Sequence, residues 1–221
     1  MSVMNAETIA SLTTAAGTLV LAVATYSSTR SANRASRVAE QALLVGLRPV
    51  LMHARLDDPK QKVGFADQHW LRFEGASGAV EVTEDVIYLA APIRNVGTGI
   101  AVLQGWTSSE RTMGTQDHAE LEEFTMLTRD IYIPAGDLGF WQGAIRDPKL
   151  PEFQRVASAV AERRPIVIDI LYADLHGSQQ TITRLSLTPT GEDQWMGSVG
   201  RHWQVEAAAT TRWLRRRHEA S

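Results

Sequence analysis

The sequence predicts a mainly β protein: an N-terminal transmembrane helix and a helical linker, followed by an antiparallel β-sandwich with one inserted helix. Three observations predict it. Between Glu7 and Arg30 the chain carries no charge for about 22 residues, Thr8 to Thr29, enough as a helix to cross the roughly 30 Å hydrocarbon core of a bilayer. From Pro49 to about Val205, short β-branched and aromatic runs alternate with Gly, Pro and Asp punctuation at sandwich spacing. One segment, PEFQRVASAVAERRP, breaks that rhythm with helical periodicity. The expected divisions are an anchor over 1–29, a basic helical linker over 30–48, a sandwich over 49–205 and a basic tail over 206–221.

Within the anchor, Ile9, Leu12, Leu19, Val20, Leu21 and Val23 supply the favourable transfer energy, and Ala, Thr and Ser fill the remainder. The start MSVMNAE has no Lys or Arg, which argues against a cleaved signal peptide. Arg30, Arg34 and Arg37 follow the apolar run directly, so the charge bias places the N-terminus outside and the C-terminal domain in the cytoplasm, on the inner (plasma) membrane. The alternative is a helix buried in a soluble bundle.

Ala10, Thr14, Thr18 and Ala22 recur every fourth residue with Gly17 beside them, a small-residue face that lets helices approach closely. It predicts self-association, unless so small-rich a composition produces the face by chance. From Ser31 to Leu47 helical character persists until Pro49, so span and linker form one long helix or two that bend near Ser27 to Ser31.

Candidate strands are Val50 to Leu56, Trp70 to Phe73, Val80 to Val82, Val86 to Asn95, Ala101 to Ser109, Arg129 to Ile133, Phe140 to Ile145, Ile166 to Asp174, Gln180 to Leu187 and Trp195 to Trp203. The inserted helix starts on Pro151, a favoured first-turn residue, sets Phe153, Val156, Ala157 and Val160 on one face, and stops at Arg163-Arg164-Pro165.

Three backbone motifs carry a resemblance. IYLAAPIRNVGTGIAVLQGW, with Asn95, Gly97, Gly99 and Ala101, resembles the strand, Asn-x-Gly turn, strand pattern of bacterial immunoglobulin-like domains of the cell-adhesion-related type. IYIPAGDLGFW resembles their Pro-x-Gly-Asp corner, and LYADLHGSQQTITRL their Tyr-x-Asp-x-x-Gly hairpin, with Asp174 and Gly177 at its turn. The whole order is similar to uncharacterised bacterial single-pass membrane proteins with such a domain at the C-terminus. The resemblance implies an Ig-like fold in which Gly supplies positive φ and Asn or Asp bonds its own turn; it brings no catalytic residue with it.

With 22 Lys+Arg against 25 Asp+Glu, the net charge of −3 gives no ground for nucleic-acid binding. Arg212, Trp213, Arg215, Arg216 and Arg217 crowd the C-terminal tail, which reads either as a binder of anionic lipid headgroups or as a solvated terminus. Cysteine is absent, which removes thiol catalysis, disulfides and thiolate metal sites. The remaining constellations are Asp169 with Asp174 and His176, His118 with Glu120, Glu122 and Glu123, and Asp67 with His69. None has the spacing of a known ligand or nucleophile set, and Asp169, opposite Ile166, Ile168 and Ile170 on its strand, is expected to face solvent. No cofactor, metal or catalytic residue is expected. The functional expectation is a non-enzymatic, membrane-anchored accessory or assembly subunit that contacts lipid, self-associates, and binds a protein partner through its sandwich. Two other readings stay open: a soluble oligomeric scaffold, and a small-ligand or carbohydrate module using Trp70, Trp106 or Trp141.

Overall fold

A computed structural model describes residues 6–205 apart from 178 and 192; within that range the side chains of 6–10, 12, 13, 41 and 44 also fall outside the description. The chain parts into two units between Gly46 and Leu47. The first is a helix, α1 (Ala6–Gly46), of 41 residues. It runs without a break across both the apolar stretch and the Arg-bearing linker, about 60 Å at 1.5 Å per residue. No Pro interrupts it, and Arg48-Pro49 ends it, since the residue before proline is pushed out of the helical region. Every described side chain of α1 is exposed.

Among the described residues no helix is long and apolar enough to cross a membrane. The expected transmembrane helix is therefore met in its helical part only. Thr14, Thr18, Thr25, Ser27, Ser28 and Thr29 dilute the Leu and Val of residues 19–23, and Arg30 closes the stretch.

The second unit is mainly β. Its strands are β1 (Leu51–His53), β2 (Gln61–Gly64), β3 (Trp70–Phe73), β4 (Ser77–Val82), β5 (Ile87–Asn95), β6 (Ala101–Ser108), β7 (Thr125–Ile133), β8 (Leu138–Ile145), β9 (Ile166–Ala173), β10 (Gln180–Pro189) and β11 (Trp195–Val205), with α2 (Pro151–Ala161) between β8 and β9. All pairings are antiparallel. Nine strands join in one curled sheet, in the order β1-β5-β4-β11-β10-β9-β6-β7 with β8 on the free edge of β5, while β2 and β3 form a separate hairpin. A short pairing of Trp195 with Gly78 and Met196 with Ser77 connects its two halves, so the strands make a single curled sheet where two separate layers were expected. β2 escapes sequence reading because Gln-Lys-Val-Gly has one apolar side chain and no alternation.

The main core lies on the concave side, from Ile87, Leu89, Ala91 and Ile93 of β5, Ile166, Ile168, Ile170 and Tyr172 of β9, Leu185 and Leu187, and Trp106 against Trp141. Phe153 and Val156 of α2 pack into it, so one face of this helix is consumed by the fold. Two smaller clusters cover the other side of the sheet. Val63, Phe65, Leu71 and Phe73 of the β2–β3 hairpin lie on Tyr88 and Ala90, and Ala119, Leu121 and Phe124 of the β6–β7 connection lie on Leu171 and Ile182. Consequently β9 is buried at all eight positions, which overturns the expectation that Asp169 faces solvent. Strand alternation predicts the opposite face correctly, but a covering loop turns that face into interior.

Candidate functional surfaces

On α1, Thr14, Gly17, Thr18 and Ala22 lie on one exposed face, and the side chain of Ala10 is outside the described set. The threonine hydroxyls turn inward to the helix: Thr18 Oγ1 donates to Thr14 O (2.9 Å), Thr25 to Leu21 O (2.8 Å) and Thr29 to Thr25 O (2.8 Å). Such back-bonding satisfies the hydroxyl without water. Leu19, Val20, Leu21 and Val23 are about two-thirds exposed, and at 100° per residue they occupy several sides of the helix. Arg30, Arg34 and Arg37 share one stripe at i, i+4 and i+7, lining a groove with Tyr26, Thr29 and Asn33. Arg212, Trp213, Arg215, Arg216 and Arg217 lie outside the described residues.

Asn95 is fully buried and organises the entry to the β unit. Its Oδ1 accepts from Val50 N (3.2 Å) and Gly97 N (3.0 Å), while Nδ2 donates to Gly99 O (2.6 Å) and Ile133 O (3.0 Å). Val96 N donates to Val50 O and Thr98 N to Arg48 O, so residues 48–50 are pinned along this turn. Gly97 and Gly99 do not supply positive φ, in contrast to the expectation. They are required for close approach: a Cβ at Gly97 would lie 2.3 Å from Arg48 O, and one at Gly99 1.8 Å from Leu47 O. Positive φ occurs at Gly136 (+78°) and Gly177 (+68°). Asp174 Oδ1 accepts from Gln179 N (3.1 Å), and Gly177 N donates to Asp174 O (3.0 Å), closing the β9–β10 turn.

The sequence constellations disperse in space. Asp169 is removed from Asp174 and His176 and pairs with Arg184, both side chains being wholly buried. Arg184 Nε and Nη2 donate to the two Asp169 oxygens at 2.7 and 2.8 Å. Its remaining donors reach Thr112 O, Thr115 O and Asp117 O, and Asp169 Oδ2 also accepts from Ala119 N. The guanidinium lies 4.8 Å from the Trp203 ring, whose Nε1 donates to Gln116 O. With every donor used, this arginine clamps the 109–119 loop and offers nothing to a ligand. Sequence reading missed the pair, yet a signal existed: in the hairpin read from LYADLHGSQQTITRL, extended register sets Arg184 directly opposite Asp169.

His118 Nδ1 contacts its neighbour's carbonyl, Ala119 O (2.7 Å). Glu120 N donates to Glu123 Oε1, and Glu123 binds Arg111 through two bonds of 3.0 Å, which hold its carboxyl below the usual range. Asp67 accepts from Arg146, Tyr88 Oη (2.7 Å) and His69 N, and the Arg146 bond foremost lowers its pKa to about 2. His69 stacks on Tyr88 at 4.0 Å and contacts Glu81 Oε2 (3.0 Å). Among the described residues no group of three or more His, Asp or Glu is placed to hold a metal ion. Of the three tryptophans considered for ligand binding, Trp106 and Trp141 are core and meet edge to face at 5.4 Å; Trp70 is 53% exposed beneath the Lys62 ammonium.

No family model matches the chain, and no curated protein does. Among solved structures, a selenomethionine-labelled β-glucosidase from Kluyveromyces marxianus aligns with 57% of this chain and 13% of its own, at 10% identity and a TM-score of 0.21. A superposition that loose carries no argument about fold or activity.

Proposed function

We propose that this chain is a non-enzymatic, membrane-anchored accessory or assembly subunit, N-terminus out, whose β domain lies in the cytoplasm and binds a protein partner. One observation carries this reading: α1 leaves Leu19, Val20, Leu21 and Val23 exposed on several sides while its threonine hydroxyls bond to its own carbonyls. Apolar side chains exposed on several sides of one helix gain from an apolar surrounding, and a helix whose hydroxyls are satisfied internally enters it at reduced cost. The Arg30, Arg34 and Arg37 stripe then meets anionic headgroups at the cytoplasmic side. An immunoglobulin-like role for the β unit as a partner-binding module fits this arrangement, and copies of α1 associate along the small-residue face.

A second reading, a soluble oligomeric scaffold in which α1 packs against its own copies, draws on the finding that no described helix is long and apolar enough to cross a membrane. Fractionation separates the two. The full-length chain is expected in the membrane pellet and to resist carbonate extraction, with alkaline phosphatase fused after Ser221 inactive and a fluorescent protein there bright. Recovery in the carbonate supernatant as a large particle would establish the scaffold in its place.

A further inference from the structure

A cleft of about 610 Å³ opens between the 109–113 loop, α2 and the outer face of the sheet, a volume in the range of small-molecule sites. It is distinct from the α1 surfaces above. Its floor carries hydroxyls in cross-strand register, Ser186 on β10 opposite Ser198 on β11, with Val167 of β9 on the other side of Ser186. Met113 and Pro165 add apolar wall.

Three arginines and one glutamate, Glu110, line it. Two of the arginines are already neutralised, Arg111 by Glu123 and Arg164 by Glu162. Arg155 is different. It is half-buried and among the described residues makes no ion pair within 4 Å. Its Nη2 donates to Ser108 O (2.7 Å) and Ser108 Oγ (3.1 Å), and Ser108 is held in turn by Glu152 Oε1, which accepts from its N–H (3.2 Å) and Oγ (2.7 Å). That network fixes the guanidinium at the cleft, and its Nε and Nη1 make no hydrogen bond among the described residues. A partly desolvated cation that meets the Glu152 carboxylate only through Ser108, beside apolar wall and a hydroxyl floor, matches an amphipathic anion.

We propose that this cleft binds a small organic anion, a carboxylate or phosphate monoester whose charge pairs with Arg155 and whose apolar body lies against Met113, Pro165 and Val167. Hydroxyls of Ser186 and Ser198 accept or donate to polar substituents along that body.

Isothermal titration of the full chain with 2-naphthoate, 2-naphthyl phosphate and neutral 2-naphthamide tests it. At least one anion is expected to bind with one-to-one stoichiometry, at least tenfold tighter than the amide, and comparison of the two anions identifies the preferred headgroup. Arg155→Met, which keeps the stem and removes the charge, should erase the preference for anion over amide. Ser198→Leu, which fills the cleft from a half-exposed floor position, should weaken all three probes, and the thermal midpoint of both variants monitors folding. Failure of both anions to bind, equal binding of anion and amide, or an anion preference that survives Arg155→Met in a folded variant would overturn the proposal.

Discussion

The pair Asp169–Arg184 is wholly buried and bonded at all five arginine donors, so its energetic weight shows best when one partner is removed. Asp169→Leu leaves a buried cation, and Arg184→Met a buried carboxylate; each is expected to cost roughly 3–5 kcal/mol. The double variant removes both charges together and should be less destabilised than the sum of the two, a coupling that urea unfolding of the three variants measures. A second residue-scale effect concerns His202, whose Nδ1 lies 2.7 Å from Thr183 Oγ1, itself bonded to Tyr172 Oη, which accepts from Leu51 N. Partial desolvation of the ring in a residue that stays largely exposed, and then the Arg48 charge, lower the His202 pKa. The unfolded imidazole takes up its proton near pH 6.5 and the folded one only at lower pH. The stability owed to neutral His202 is thus complete above about pH 6.5 and is lost as pH falls from there through the folded pKa. The urea midpoint should drop over that interval and drop less in His202→Gln. Asp67 acts in a separate window: with its pKa at about 2, its contribution persists above the ordinary carboxylate value near 4 and disappears only as pH falls toward 2.

Among the elements, α1 carries the sharpest test. If Thr14, Gly17, Thr18 and Ala22 form a packed seam, Thr14→Leu with Thr18→Leu adds bulk where backbones must approach while raising apolarity. Cross-linked oligomers should fall in yield and membrane retention should not. Equal yields would assign assembly to another part of the chain. The β9–β10 hairpin shows a different property of elements. Its turn is closed by Asp174 and Gly177, and the register that follows sets Val167, Asp169 and Leu171 on one face, opposite the core-facing Ile168, Ile170 and Tyr172. What covers that face is a loop more than forty residues earlier in the chain, held by Arg184 and by Trp203 Nε1 to Gln116 O. Residues 109–113 of the same loop wall the cleft beside α2, with Ser186 and Ser198 of the sheet also lining it.

For the whole molecule, the division between Gly46 and Leu47 sets the expectation. The core clusters draw only on residues from Leu51 onward, and the turn from Asn95 to Gly99 pins residues 48–50 within the second unit. Deleting residues 1–46 should therefore leave a folded β unit with an unchanged urea midpoint by tryptophan fluorescence, reporting Trp106 and Trp141 in the core. The same deletion should abolish membrane retention, because the exposed apolar side chains of α1 go with it.

Local chemistry was enough to read most of the elements. β-branched runs bounded by Gly, Pro and Asp locate ten of the eleven strands among the described residues, Pro151 and the 3.6-residue spacing locate α2, and the charge-free stretch together with its continuation to Pro49 locates α1. These are properties of adjacent residues, so they survive in sequence alone. The curling of nine strands into one sheet, the burial of Asp169, the need for Gly97 and Gly99 against Arg48 and Leu47, and the tie of Arg155 to Ser108 are different in kind. Each depends on a segment distant in sequence lying over or against the residue concerned, and alternation along a strand reports which way a side chain points without reporting what lies there. Tertiary packing therefore decided the interior charges and the cleft, while the order of the elements was already determined by the amino-acid pattern.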